Sequence, residues 1–299
     1  MTARKKALAA LLLVSVLWGT AGVTAKILIQ ELDPFVVLFY RFGFASLILL
    51  PWFIKAHKPT HMWRTLIPFS LLSIGNAIFF YLGIVHTTAV AASVINTSTP
   101  LLTAFFSHAL INERTSKEKI TGIIIGLFGT LIIILLPLWK EGKSIGGDFI
   151  GNLFILLSVT NWTLYLVGSR KFISQEKFSP IVMTEINFLT LTCVSLILAL
   201  ITGQSFFTSA FYNPSYVLLL IYATIPVTVI TFGLFQWVIK HISATTASLK
   251  DYVQLTVGMG LSLLILGETI NTPFIIGSAI VIIGVGISTG KAIWRTLRG

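Results

Sequence analysis

The sequence predicts an all-α integral membrane protein of ten transmembrane helices, built as two inverted five-helix repeats with both termini cytoplasmic. Three observations lead there: the composition, the spacing of apolar blocks, and the placement of positive charge. The 299 residues are 55% hydrophobic and 10% charged, with a mean hydropathy of +0.92. Soluble domains carry about 25% charged residues. A soluble enzyme, a disulfide-rich secreted module and a disordered chain are therefore excluded. The single cysteine, Cys193, lies inside an apolar block and matches no disulfide or metal-ligand spacing.

A spanning helix needs about 20 mostly apolar residues. Such blocks fall at 7–29, 34–54, 65–86, 88–111, 119–139, 149–169, 180–202, 215–239, 243–266 and 274–293. The first opens behind Arg4-Lys5-Lys6, as a signal peptide would, but its apolar run exceeds a typical h-region and the cleavage site is poor. The third and fourth are joined by Thr87 alone, and the eighth and ninth by Lys240 to Ile242, which calls for tight helical hairpins. Pro100 in the fourth span and Pro226 in the eighth each lack an N–H and free a carbonyl one turn back. Free backbone groups at membrane depth belong where they line a cavity or are buried in protein. The fifth and tenth spans carry Gly122, Gly126, Gly129, Gly277, Gly284 and Gly286, small residues that allow close helix approach within one chain or between two.

The net charge is +11, from 21 Lys and Arg against 10 Asp and Glu. In a soluble protein this balance would suggest nucleic acid. Here the positive residues sit in connectors, so the charge reads as topology and no nucleic-acid partner is expected. With the N-terminus inside, the inner segments hold 16 Lys and Arg and the outer connectors hold only Lys140 and Lys143. That is the bias of the positive-inside rule, and it puts both termini in the cytoplasm.

The chain also repeats itself. Residues 89–132 laid on 244–287 match at 10 of 44 positions, among them Ala92/Ala247, Ser93/Ser248 and Gly129/Gly284. A second shift puts Trp18 on Trp162 and Lys26 on Arg170. The halves divide as 1–139 and 140–299, each with five spans. An odd number makes the second half enter the membrane from the opposite side, as in the inverted repeats of many secondary transporters.

These residues also resemble a known family. Trp18-Gly19 with Lys26, Asp33-Pro34 with Arg41, and Ala92-Ser93 followed by Pro100 and Asn112-Glu113-Arg114 resemble an EamA-type unit of the drug/metabolite transporter superfamily. The second half echoes it with Ala247-Ser248 and Leu266-Gly267-Glu268-Thr269, departing at Leu255, the counterpart of Pro100. The resemblance implies transport of amino acids or related metabolites, often outward.

No Walker A loop, Ser/His/Asp set or metal-ligand run stands out, so neither an enzyme nor a cofactor is expected. The candidate chemistry is polar and aromatic side chains inside the membrane. Lys250 and Asp251 lie about 10–12 Å in from the cytoplasmic side and Glu185 about 7–8 Å in. A charge at such depth costs at least about 2.5–3.5 kcal/mol on insertion scales, so it should face a cavity or a partner. The expectation is that Lys250 pairs with Glu185 and Asp251 faces the pathway. Neighbouring helix positions point about 100° apart, which disfavours a Lys250–Asp251 pair. Snorkelling of Lys250 to the interface is the plainer alternative. Glu185 is the coupling candidate, with proton coupling as the possibility.

Arg41, about 10 Å from the outer face, reads as an anchor to carbonyls or to Glu31 and Asp33, with substrate contact as the second option. Trp18 and Trp162 are repeat mates near mid-membrane, away from the interfaces tryptophan prefers. They are candidate walls of a central cavity, with helix packing the alternative. Asn76 and Asn96 lie near mid-depth, and Tyr81, Tyr165 and Tyr252 complete the candidate substrate-binding set. His86 and His108 read as interfacial, and Glu113 and Glu268 as caps.

The function expected is secondary transport of a small polar metabolite by alternating access around a midplane cavity, in a prokaryotic cytoplasmic (inner) membrane. The partners are that small-molecule substrate and the lipid bilayer. A zwitterion would place its amine on Asp251 and its carboxylate on Lys250. Alternatives are a nucleotide-like metabolite, a lipophilic cation with Lys250 turned away, or a non-transporting scaffold or receptor.

Overall fold

In the computed structural model, the backbone is described for residues 3–111, 117–135, 147–175, 178–242, 247, 250–267, 272, 275–284 and 286–287. Among these the regular elements are all helical. Seven helical stretches are long and apolar enough to cross a membrane, and three shorter apolar helices, Ile120–Ile133, Val253–Ile265 and Ile275–Gly284, occupy the remaining three blocks. The ten-span reading is therefore the architecture of this chain.

Chain punctuation sets the helix starts. The second span is α3 (Pro34–Lys55), where Asp33 accepts a hydrogen bond from the Phe35 N–H and Pro34 opens the first turn. Ser179-Pro180 starts α9 (Pro180–Ile201) in the same way. Between them lie α4 (Met62–His86), α7 (Lys117–Leu135) and α8 (Phe149–Ser174).

Among the described residues, three of the spans are interrupted as α-helices. The first breaks at Thr20 into α1 (Ala3–Gly19) and α2 (Ala21–Leu28). The fourth breaks after Asn96 into α5 (Ala89–Asn96) and α6 (Thr99–Ile111), just before Pro100. The eighth runs as α10 (Pro214–Thr224), a π-helical segment Ile225–Ile230 containing Pro226, and α11 (Thr231–His241). Such π segments widen the turn and leave backbone carbonyls open to other partners. The ninth span is α12 (Lys250–Ile265).

Packing joins the two halves symmetrically. α3 lies against α9, and α4 against α8, whose repeat-exchanged counterpart is the contact of α11 with α1. α6 lies on α8 as α12 lies on α1. α7 meets the Ile275–Gly284 helix through glycines: a methyl on Gly284 would strike the backbone of Gly126 and Gly122, and one on Gly129 the backbone of Gly277 and Val281. The glycine stripe of the fifth and tenth spans thus serves packing inside one chain. Outward, Ile124, Phe128 and Leu264 are exposed, which is the surface lipid covers.

Candidate functional site

The interrupted spans converge on one cavity of about 110 Å³, with room for about four waters at about 30 Å³ each. Its walls include Trp18 of α1, Arg41 of α3, Asn76 and Tyr81 of α4, Asn96 of α5, Trp162 of α8, and Lys250 and Asp251 of α12. Both halves of the chain therefore contribute.

One end is aromatic. The Trp18 and Trp162 rings meet edge to face at 90°, centroids 5.3 Å apart, and Phe232 and Phe235 of α11 close around them at 5.1–5.6 Å from Trp18. Edge-to-face pairs of this kind align positive edges with negative faces. Trp18 is oriented by the π segment, its Nε1 donating to the Val227 carbonyl at 3.2 Å.

The same carbonyl accepts from Arg41 Nη2 at 3.3 Å, while Arg41 Nε donates to Thr228 Oγ1 at 2.5 Å and Nη1 to the Tyr81 hydroxyl at 3.3 Å. Of the two anchors expected for Arg41, the carbonyl is the one used. Asp33 caps α3 instead of pairing with it. A buried guanidinium needs its fork filled, and here the unwound backbone beside Pro226 helps fill it.

The expected Lys250–Glu185 pair does not form. Lys250 Nζ instead lies 2.6 Å from Asp251 Oδ1 and 3.2 Å from Gln254 Oε1, and both charged residues are buried. The 100° between neighbouring Cβ directions argued against this pair, but the four-carbon stem brings the ammonium back across that angle. Glu185 faces α3, where Ser46 donates to its Oε1 at 2.5 Å. Its Oε2 has no hydrogen-bond partner among the described residues. Glu185 does not line the cavity, but Asn187, two residues on, accepts company from its wall: its Nδ2 donates to Ser73 Oγ at 3.0 Å.

Asn76 donates to the Ser158 carbonyl and hydroxyl at 3.1 and 2.8 Å, tying α4 to α8. Asn96 donates back to the Ala92 carbonyl at 2.9 Å. Tyr165 stands behind the wall: its hydroxyl accepts from Gln236 at 3.1 Å and its ring stacks on Phe69. The side chain of Tyr252 and the residues Glu113 and Glu268 lie outside the described residues. Ser73, Phe80, Thr99, Phe232 and Gln254 also line the cavity and were missed by the sequence reading. Only Gln254, one turn after Lys250, carried a usable signal. Among the described residues no group of three His, Cys, Asp or Glu could hold a metal ion.

The whole chain has relatives. An uncharacterized transporter of Clostridium kluyveri is 29% identical over 290 residues, covering 94% of this chain and 92% of its own. The uncharacterized transporter YcxC of Bacillus subtilis is 25% identical, covering 92% and 90%. The uncharacterized inner membrane transporter YedA of Escherichia coli K12 is 25% identical, covering 88% and 83%. A solved crystal structure at 19% identity covers 97% of this chain and 99% of its own with a TM-score of 0.68, so the fold is shared. The apolar spans and these relatives make this a multi-pass inner membrane protein. A model described as the EamA-like transporter family matches residues 5–135 and 149–290, and the chain therefore belongs to that family.

Proposed function

We propose that this protein is a secondary transporter that moves a small polar metabolite, an amino acid or related compound, out of the cell. The observation that carries the reading is the buried Lys250–Asp251 pair in the wall of a cavity lined by both halves. A lysine and a carboxylate side by side suit a zwitterion, with the cargo's amine on Asp251 and its carboxylate on Lys250 or Arg41. A lipophilic cation would call for Lys250 to be turned away, yet Lys250 lines the cavity, its ammonium against Asp251 and Gln254.

The two halves rock against each other about this site in alternating access, an inverted-repeat mechanism. The symmetric exchange of contacts between halves supports it. Both termini are cytoplasmic on the charge distribution. Glu185 is the carboxyl suited to carry a coupling proton, being buried, with one oxygen unpartnered and no cation bonded to it among the described residues.

The test is thermal stabilisation of the purified protein by an amino-acid panel, followed by flux of each hit in sealed proteoliposomes. A ligand at 100 times its Kd stabilises by about 2.7 kcal/mol. The expected hit is lost in Asp251→Asn and carried across the membrane by the wild type. Absence of flux for every member of the panel, beyond protein-free vesicles, would overturn the transport reading.

A further inference from the structure

The Lys250 ammonium occupies a place fitted to a cation. Its Nζ lies 4.7 Å from the centroid of the Trp18 ring, 5.8 Å from that of Trp162 and 5.9 Å from that of Phe235. Ring faces within about 6 Å attract a cation through their quadrupole, more strongly where water is excluded, and such aromatic cages are used to recognise ammonium ligands. Asp251 and Gln254 supply the oxygens. The rings come from α1, α8 and α11 and the cation from α12, so the cage draws on both halves.

Two polar atoms at this place have no hydrogen-bond partner among the described residues: Asp251 Oδ2 and Trp162 Nε1. Both belong to cavity-lining residues that are only 3% and 7% exposed. A buried carboxylate ordinarily accepts more than one charge-assisted bond. Lys250 uses one oxygen and leaves the other without a partner among the described residues, so the carboxylate can face a further cationic group.

We propose that Lys250 is a tethered stand-in for the cargo's own cation. An arriving ammonium group takes the place beside Asp251 and over Trp18 and Trp162, and Lys250 swings to the cargo's carboxylate. This rests on the zwitterion reading above and narrows it. The cargo carries an ammonium, primary to quaternary, and a carboxylate within the reach of one lysine stem. A lone cation fails because it would evict Lys250 and strand a second charge in a buried site, which is costly. A zwitterion leaves every charge paired before and after the exchange. Between cargoes the Lys250–Asp251 pair keeps the site electrically neutral.

The wild type, Lys250→Ala, and Lys250→Ala with Asp251→Asn are titrated with tetramethylammonium, with glycine, β-alanine and glycine betaine as zwitterions. Melting temperature and tryptophan fluorescence are the readouts. The expectation is that Lys250→Ala gains saturable binding of tetramethylammonium at least tenfold tighter than the wild type, and that the double variant loses it. A monodisperse, cooperatively melting Lys250→Ala protein that does not bind tetramethylammonium overturns the proposal. So does a wild type that binds tetramethylammonium as tightly as Lys250→Ala. If Lys250→Ala does not fold, the wild type decides: a zwitterion bound tenfold tighter than tetramethylammonium supports the exchange, and equal binding overturns it. Failure of the transport reading looks different, as a cage that binds in Lys250→Ala while the wild type carries no zwitterion across vesicles.

Discussion

Removing one partner of the Lys250–Asp251 pair tests the centre of the site, and the structure sets the size of the effect. Breaking a buried ion pair costs about 3–5 kcal/mol, because the survivor is left uncompensated. In Lys250→Met, Asp251 loses the donor to its Oδ1 while its Oδ2 already has no partner among the described residues. The full cost of about 3–5 kcal/mol is expected. In Asp251→Asn the ammonium keeps Gln254 and three aromatic faces. The faces offset about 2 kcal/mol and the new amide oxygen about 1 kcal/mol, leaving a loss of about 0–2 kcal/mol. The double variant removes both charges and fills a similar volume, so it should recover most of the stability. Reversible unfolding of the four proteins in one mixed detergent, with SDS as denaturant, gives the cycle. A coupling of at least about 2 kcal/mol is expected. Single effects that add to within about 0.5 kcal/mol would mean that the two side chains act independently, and would refute the pairing.

Three further expectations follow from other parts of the fold. Gly284→Leu should destabilise the chain by about 1–3 kcal/mol or more, because its side chain would meet the backbone of Gly126 and Gly122; an unchanged unfolding midpoint would show that α7 and the last apolar helix are not in contact. Glu185→Gln should remove the acceleration of transport by an imposed pH gradient while leaving cargo binding within about twofold, since Glu185 lies outside the cavity wall; retention of the acceleration in vesicles would end its coupling role. In a Cys193→Ser background, Ser205→Cys should react with a membrane-impermeant maleimide in intact cells and Thr60→Cys only after permeabilisation; the reverse pattern would invert the assigned orientation.

Much of this architecture is legible in the amino-acid sequence because lipid simplifies the problem. A bilayer leaves no water to satisfy backbone groups, so spanning segments must be helices of one approximate length. Ten apolar blocks, the biased lysines and arginines, and the half-to-half match at Ala92/Ala247 and Trp18/Trp162 were therefore enough to mark the spans and the repeat. The cost of intramembrane charge likewise singled out Arg41, Lys250, Asp251 and Glu185 as residues that needed partners.

Which partners they took was decided by tertiary structure. Depth along a helix can be counted from sequence, but the rotation of each helix about its axis and the path of a long side chain cannot. The rotation of α9 turns Glu185 to Ser46 instead of Lys250, and the lysine stem folds back onto Asp251. Arg41 found its carbonyl in a π segment whose existence Pro226 hinted at but whose direction depended on α3 lying against it. Tyr165 lies within one turn of Trp162 yet bonds Gln236 behind the wall, and the glycines of the fifth and tenth spans face each other inside one chain. That ten helices cross the membrane and that charges are buried among them follows from residue order alone, since both are priced by the solvent. The assembly of the cavity was left to packing, because the contacts that rotate one helix against another come from residues distant in the chain.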